Sequence, residues 1–195
     1  RLAEADADSR VLGFASPSFD ASVLEYLLAA RSGGALIYRP AETVGGDRLA
    51  EYMNANGVTH LFLTPTVLAT LDPVQVPSIR CLYVGGEALP QALNDRWAPV
   101  HQVRNVYGPT ETTIVVMISE AIQRGAPVNL GRPVDGVGIR VLDRCLNPVP
   151  FDVPGDLYIS GPQLARGYLG RPGRTCSSFV ADPHGDSGQQ MYKTG

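Results

Sequence analysis

As far as Gly125, short apolar runs alternate with amphipathic stretches, and glycine or proline separates them. The run at 11–14 reads as a buried strand, and a loop follows at 15–20. Ser22 and Glu25 form a capping-box pair that predicts a helix over 23–31, closed by Gly33 and Gly34. Residues 35–38 return to strand character. The unit then recurs. Asp47 is placed to cap a helix at 48–56, Gly57 ends it, and 58–63 is a β-rich run closed by Thr64 and Pro65. A short helix and a strand at 79–84 come next, then Gly85-Gly86. A helix at 91–98, with Pro90 at its first turn, and a strand at 102–106 complete the pattern. Alternation at this spacing predicts an α/β fold with a parallel, helix-covered sheet.

Beyond Gly125 helical periodicity disappears. Short β-rich runs at 138–142 and 156–160, divided by Pro and Gly, predict a β-rich, barrel-like subdomain. The expected organisation is an α/β part over 1–125 and a β-rich part over 126–195. A polar, Ala/Asp-rich opening at 1–10 and an ending without terminal character read as a piece cut from a longer chain.

Composition narrows the function classes. With 44% hydrophobic and 18% charged residues, the 195-residue chain has the make-up of an ordinary globular domain. The formal net charge is -3 and Lys and Arg do not cluster, which speaks against nucleic-acid binding and polybasic membrane docking. No apolar run approaches the ~20 residues of a membrane span. Cys81, Cys145 and Cys176 are odd in number and form no Cys-x-x-Cys pair, which fits a reducing cytoplasm. His60, His101 and His184 are scattered, and His60, inside an apolar run, reads as a hydrogen-bonded structural histidine.

In an open parallel sheet, ligands bind beyond the carboxyl ends of the strands. Three unusual loops hold such positions: 16–20, 85–87 and 105–113. The last reads Asn-Val-Tyr-Gly-Pro-Thr-Glu-Thr-Thr. Its hydroxyls and N–H groups suit phosphate oxygens, the Glu111 carboxylate suits a hard cation such as Mg2+, and Tyr107 offers a flat face for a nucleobase. A tight turn with Thr110 as a helix cap fits the same residues equally well. Gly85-Gly86-Glu87 permits close approach to the backbone, or is an ordinary turn. Asp20 sits among Phe19, Ala21, Val23 and Leu24. A carboxylate in such company is costly unless paired, and either a bound ammonium or a helix-capping role would satisfy it.

Four stretches then carry a family resemblance. FDAS at 19–22, NVYGPTETT at 105–113, GDLYISGPQLARGYLGRP at 155–172 and YKTG at 192–195 resemble, in order and spacing, core motifs of adenylation domains of nonribosomal peptide synthetases. Those domains belong to the acyl-CoA synthetase and luciferase superfamily of adenylate-forming enzymes, and the resemblance covers essentially the whole chain. Asp156 stands where the family usually has Glu, and Gln163 where Gly is frequent. The resemblance implies the large N-terminal lobe of such an enzyme, followed by the β-rich subdomain. It also implies parts this chain does not contain: a phosphate loop, a ribose-binding Asp, a hinge and a lobe with a catalytic Lys. The isolated chain is therefore expected to show no turnover.

By the same resemblance, Tyr107 stacks on the adenine of ATP, with Gly86, Glu87 and Asn105 around its edge and Gly85 and Gly108 in the same nucleotide-binding loops. Thr110 contacts the α-phosphate region and Glu111 holds Mg2+. Asp20 pairs with the α-ammonium of an amino-acid substrate. Ala21, Leu24, Phe62, Tyr83, Gly85, Val106, Ile114 and Val115 line the side-chain pocket, whose apolar character implies an apolar substrate. Arg166 is assigned to structure. The implied partners are the phosphopantetheine thiol of a peptidyl carrier domain and a condensation domain of the same synthetase. A fragment of an acyl- or aryl-CoA ligase is the alternative within the superfamily. A nucleotide-binding module without turnover is the alternative outside it. Asp20 argues against the ligase, because a substrate without an ammonium would leave its carboxylate unpaired.

Overall fold

Each apolar run of the first half becomes a short strand, and each amphipathic stretch becomes a helix that returns the chain to the next parallel strand. The structure, a computed structural model, describes residues 5–194. Residues 1–4 of the polar opening, and the Gly195 that ends YKTG, lie outside them.

Strands β1 (Arg10–Gly13), β2 (Ala35–Tyr38), β3 (His60–Leu63), β4 (Cys81–Gly85) and β5 (Val103–Tyr107) alternate with helices α1 (Ala21–Ser32), α2 (Gly46–Ala55), α3 (Pro65–Leu68) and α4 (Gln91–Trp97). The five strands run in the order β2-β1-β3-β4-β5. Every pairing among them is parallel, with Val11 opposite Leu36, His60 opposite Cys81 and Leu82 opposite Val103. This is the helix-covered sheet the alternation predicts. Leu49 and Met53 of α2, Leu93 and Trp97 of α4, and Leu12, Leu61, Leu82 and Val84 of the strands share one buried core. Burial of each such side chain stabilises the fold by about 1.5–3 kcal/mol.

Three helix starts differ from the sequence expectation. Helix α1 begins at Ala21 with Asp20 in the N-cap position, so Ser22 lies inside the first turn and donates its hydroxyl to the Phe19 carbonyl. Glu25 is thereby carried too far along the helix to close a capping box, and its carboxylate turns to the chain leaving β1. Helix α2 begins at Gly46 rather than being capped by Asp47, whose Oδ1 accepts the Gln75 side-chain amide at 3.2 Å. Pro90 stands at the N-cap of α4, one residue before the first turn. Gly33, at φ +71°, closes α1 in the left-handed conformation that glycine tolerates best.

The chain divides into two units, residues 1–107 with 118–131 and residues 108–117 with 132–195, instead of changing once near Gly125. Two short strands, β6 (Met117–Ile118) and β7 (Arg132–Pro133), lie near these crossings. The second unit is built on a four-stranded antiparallel sheet in the order β10-β11-β9-β8. It comprises β8 (Gly138–Leu142), β9 (Asp156–Ser160), β10 (Phe179–Ala181) and β11 (Gln190–Lys193), with helix α5 (Pro172–Ser178) leading into β10. Leu142, Tyr158 and Met191 form its small core. Among the described residues no helix is long and apolar enough to cross a membrane.

Candidate active site

The expected site residues fall in both units. In the first, β1 ends at Gly13 and the chain turns through 14–19 into α1, which places Asp20 at the helix N-terminus. Its conformation is helical (φ −64°, ψ −22°) and its side chain makes no capping hydrogen bond. Carboxylate oxygen Oδ2 is shut off from solvent and has no hydrogen-bond partner among the described residues. A capping role, the plainer reading of Asp20, is therefore not what the carboxylate performs. A buried oxygen of this kind costs free energy until a cation or donor meets it.

The loop before it is held by a residue that sequence reasoning assigned elsewhere. Glu25 is 1% exposed. Its carboxylate accepts the N–H of Ala15 at 3.0 Å and of Phe14 at 3.1 Å. Arg39 lies over the Phe14 ring at 4.3 Å and donates Nε to the Phe14 carbonyl. Burial pushes the Glu25 carboxyl up to about 7, against the two N–H bonds and the Arg39 charge, which pull the other way. An acidic residue that follows a capping Ser at box spacing hides this role.

Three expected pocket residues meet across three adjacent strands. A β-carbon on Gly85 would stand 2.7 Å from Val106 Cγ2 and 3.3 Å from the Phe62 ring. Tyr83 and Val106 are buried, while Ala21, Leu24 and Phe62 are partly buried. Next along the loop, Gly86 is exposed and holds φ +85°. Glu87 is also exposed, and its carboxylate accepts both the hydroxyl of Thr66 at 2.5 Å and the Thr66 N–H at 3.2 Å. Asn105 is buried, with its side-chain amide donated to the Asn129 carbonyl and its N–H to Ser119 Oγ. Tyr107 is partly buried. His60, 2.9 Å through Nδ1 from Thr59 Oγ1, has the structural setting expected of it.

The second unit begins at Gly108. Proline at 109 leads into a single helical turn, Thr110–Thr112, with Thr110 exposed and Glu111 partly buried. A β-carbon on Gly108 would lie 2.3 Å from the Ile114 carbonyl oxygen, so only glycine lets the chain fold back on itself here. Thr113 and Ile114 follow at φ +62° and +67°, and the Val115 N–H donates to the Thr113 carbonyl at 2.9 Å, closing a γ-turn. Two consecutive left-handed residues, both of them β-branched, are strained by about 1–3 kcal/mol each. The Thr113 hydroxyl, donated to the Gln163 carbonyl at 2.6 Å, helps to hold the turn.

Glu111 is gripped from two sides. Its carbonyl accepts the Ala165 N–H at 2.8 Å, and its Oε1 accepts the Tyr168 hydroxyl. Burial pushes the Tyr192 phenol up, and a hydrogen bond to Tyr168 and the Glu111 charge add to this. The Tyr192 phenol therefore stays protonated at neutral pH. Sequence reasoning placed no ligand-side role on Tyr168, although it lies in one of the four matched stretches.

The donor chemistry fits the expected ligands. Mg2+ binds through one or two protein carboxylates together with substrate phosphates, and Glu111 supplies one carboxylate beside the Thr110 hydroxyl. Among the described residues no group of three or more His, Cys, Asp or Glu is gathered as a metal cage.

Comparison with known proteins gives the family. Residues 1–169 match the family model of AMP-binding enzymes. The chain is 47% identical, over 99% of its length, to a probable non-canonical nonribosomal peptide synthetase of Salinispora arenicola. It is 42% identical, over 96%, to novobiocin biosynthesis protein H of Streptomyces niveus. It spans only 2% of the first relative and 31% of the second. In structure it resembles a four-domain nonribosomal peptide synthetase bound to AMP and glycine, with a TM-score of 0.89 and 30% identity. That likeness covers 98% of this chain and 15% of the other. On these grounds the chain belongs to the AMP-binding enzyme family, and within it is most like the adenylating part of nonribosomal peptide synthetases.

Proposed function

We propose that this chain is part of an adenylation domain, here called the parent domain, that activates an apolar α-amino acid with ATP. The overall reaction joins the amino-acid carboxylate to the α-phosphorus of ATP, with pyrophosphate leaving. The acyl group then passes, with AMP leaving, to the phosphopantetheine thiol of a peptidyl carrier domain, in a synthetase that also holds a condensation domain and works in the cytoplasm. One observation carries the reading: the solvent-excluded Oδ2 of Asp20 at the head of α1, which has no hydrogen-bond partner among the described residues. An α-ammonium is the complement such an oxygen lacks. An acyl or aryl acid would leave it unpaired, which disfavours the ligase alternative.

Each residue's part follows from its chemistry. Asp20 holds the ammonium and so aims the substrate carboxylate; fixing both reactants in this way removes much of the entropic part of the barrier. Phe62, Tyr83, Gly85 and Val106, with Ala21, Leu24, Ile114 and Val115, receive the side chain. Tyr107 packs on adenine, and Gly85, Gly86, Glu87, Asn105 and Gly108 shape the nucleotide loops. Thr110 donates to phosphate oxygen, and Glu111 is the protein ligand for Mg2+. When bound, Mg2+ supplies positive charge that offsets the charge developing on the phosphates. An amino-acid-dependent exchange of pyrophosphate into ATP by the parent domain tests the proposal. Absence of exchange with every amino acid contradicts it.

A further inference from the structure

The geometry points to Tyr168 as a positioning residue that holds the Glu111 carboxylate in the orientation a hard cation requires. The inference rests on the proposed reading of Glu111 as the Mg2+ ligand.

Tyr168 is itself fixed on several sides. Its N–H donates to Thr175 Oγ1 at 2.9 Å. The Arg174 guanidinium lies 4.3 Å over one face of its ring, and Phe179 packs edge-on at 5.9 Å. Gly167, at φ +131°, lets the segment press against α5, since a β-carbon there would stand 2.4 Å from Thr175 Cγ2. Residues of one short helix and the strand after it therefore fix the ring, and its hydroxyl reaches Glu111 Oε1. The same segment holds the Glu111 main chain through the Ala165 N–H. Backbone and carboxylate are thus held by residues only three apart.

This is more than a surface contact needs. A lone carboxylate samples several rotamers, and a cation that takes one oxygen from it must first select among them. A phenol donating to one oxygen removes that freedom and leaves the other oxygen directed. Loss of such outer partners typically lowers metal affinity or activity 10–100-fold. Tyr168 touches neither nucleotide nor amino acid in this account, so it acts through Glu111 alone.

The test is Tyr168→Phe in the parent domain, which removes one oxygen and keeps the ring between Arg174 and Phe179. Binding of Mn2+ in the presence of a non-hydrolysable ATP analogue is read by paramagnetic resonance, beside the Mg2+ dependence of exchange. The expected result is a loss of about tenfold in cation affinity, with an unchanged amino-acid KM and a rate largely restored by high Mg2+. Unchanged cation affinity overturns the inference, and so does a uniform loss that Mg2+ does not relieve. Glu111→Gln is measured in parallel. If it too leaves cation binding unchanged, the reading of Glu111 fails; if it alone weakens binding, only the role of Tyr168 fails. Should Tyr168→Phe not fold, Thr175→Ala, which frees the Tyr168 N–H, serves instead. It should shift cation affinity in the same direction by a smaller factor, and no shift overturns the inference.

Discussion

The carbonyl oxygen of Val106 lies 2.5 Å from the point a β-carbon on Gly85 would occupy. The strand β4 therefore ends in the one residue that lets β5 and the Phe62 ring close on it. Gly85→Ala forces the strands apart or rotates Val106, at a cost of about 1–3 kcal/mol. Denaturant unfolding of the variant should show that loss. Larger aliphatic amino acids should also lose more activation than alanine does, because the added methyl stands where the pocket residues converge.

Asp20 offers a sharper contrast between stability and function. Its buried Oδ2 has no partner among the described residues, so Asp20→Ala should leave the melting temperature unchanged or raised. The same variant should weaken every amino acid alike, by about 3–5 kcal/mol for loss of a buried ion pair. A selective loss for one side chain, or a marked fall in melting temperature with unchanged KM, contradicts the ammonium role.

Glu25 makes stability depend on pH. Burial lifts its carboxyl from 4.5 to about 7. Over that interval the folded chain holds a proton that the unfolded chain has released. The stability this contributes is complete below about pH 4.5 and is lost as pH rises through about 7, a change of about 3 kcal/mol. Glu25→Gln cannot titrate and should flatten that decline. Equal slopes for both proteins between pH 4.5 and 7 would show that burial does not dominate at this site.

Glu111→Gln keeps the shape of the side chain and removes its charge. The loss should fall on kcat, and raised Mg2+ should recover part of it. An unchanged kcat with unchanged Mg2+ dependence removes Glu111 from the metal.

The strands were legible because each is an apolar run bounded by Gly, Pro or a polar turn, and the parallel order followed from the helices between them. Helix starts were less legible. Ser22 with Glu25 has the spacing of a capping box, yet tertiary contacts with Phe14 and Ala15 take Glu25 away. Asp20 stood out because a carboxylate among apolar neighbours demands a reason. Its lack of any cap hydrogen bond needed coordinates. Tyr168 stayed hidden because its partner lies 57 positions away, and no local pattern marks so distant a pair. The left-handed pair Thr113 and Ile114 was equally hidden, since neither residue type favours that conformation.

Adenylation of an apolar amino acid by the domain containing this chain is open to one decisive panel. Amino-acid-dependent ATP–pyrophosphate exchange is measured on the parent domain across all proteinogenic amino acids. The pocket residues carry no formal charge apart from Asp20, so a charged or amide side chain would lose water without gaining partners, at a cost of roughly 2–7 kcal/mol. The fastest exchange is expected with Leu, Ile or Val. These should differ by only about 1–3 kcal/mol, because a single methylene discriminates weakly. Fastest exchange with Asp, Lys or Gln, or none with any amino acid, would contradict that expectation.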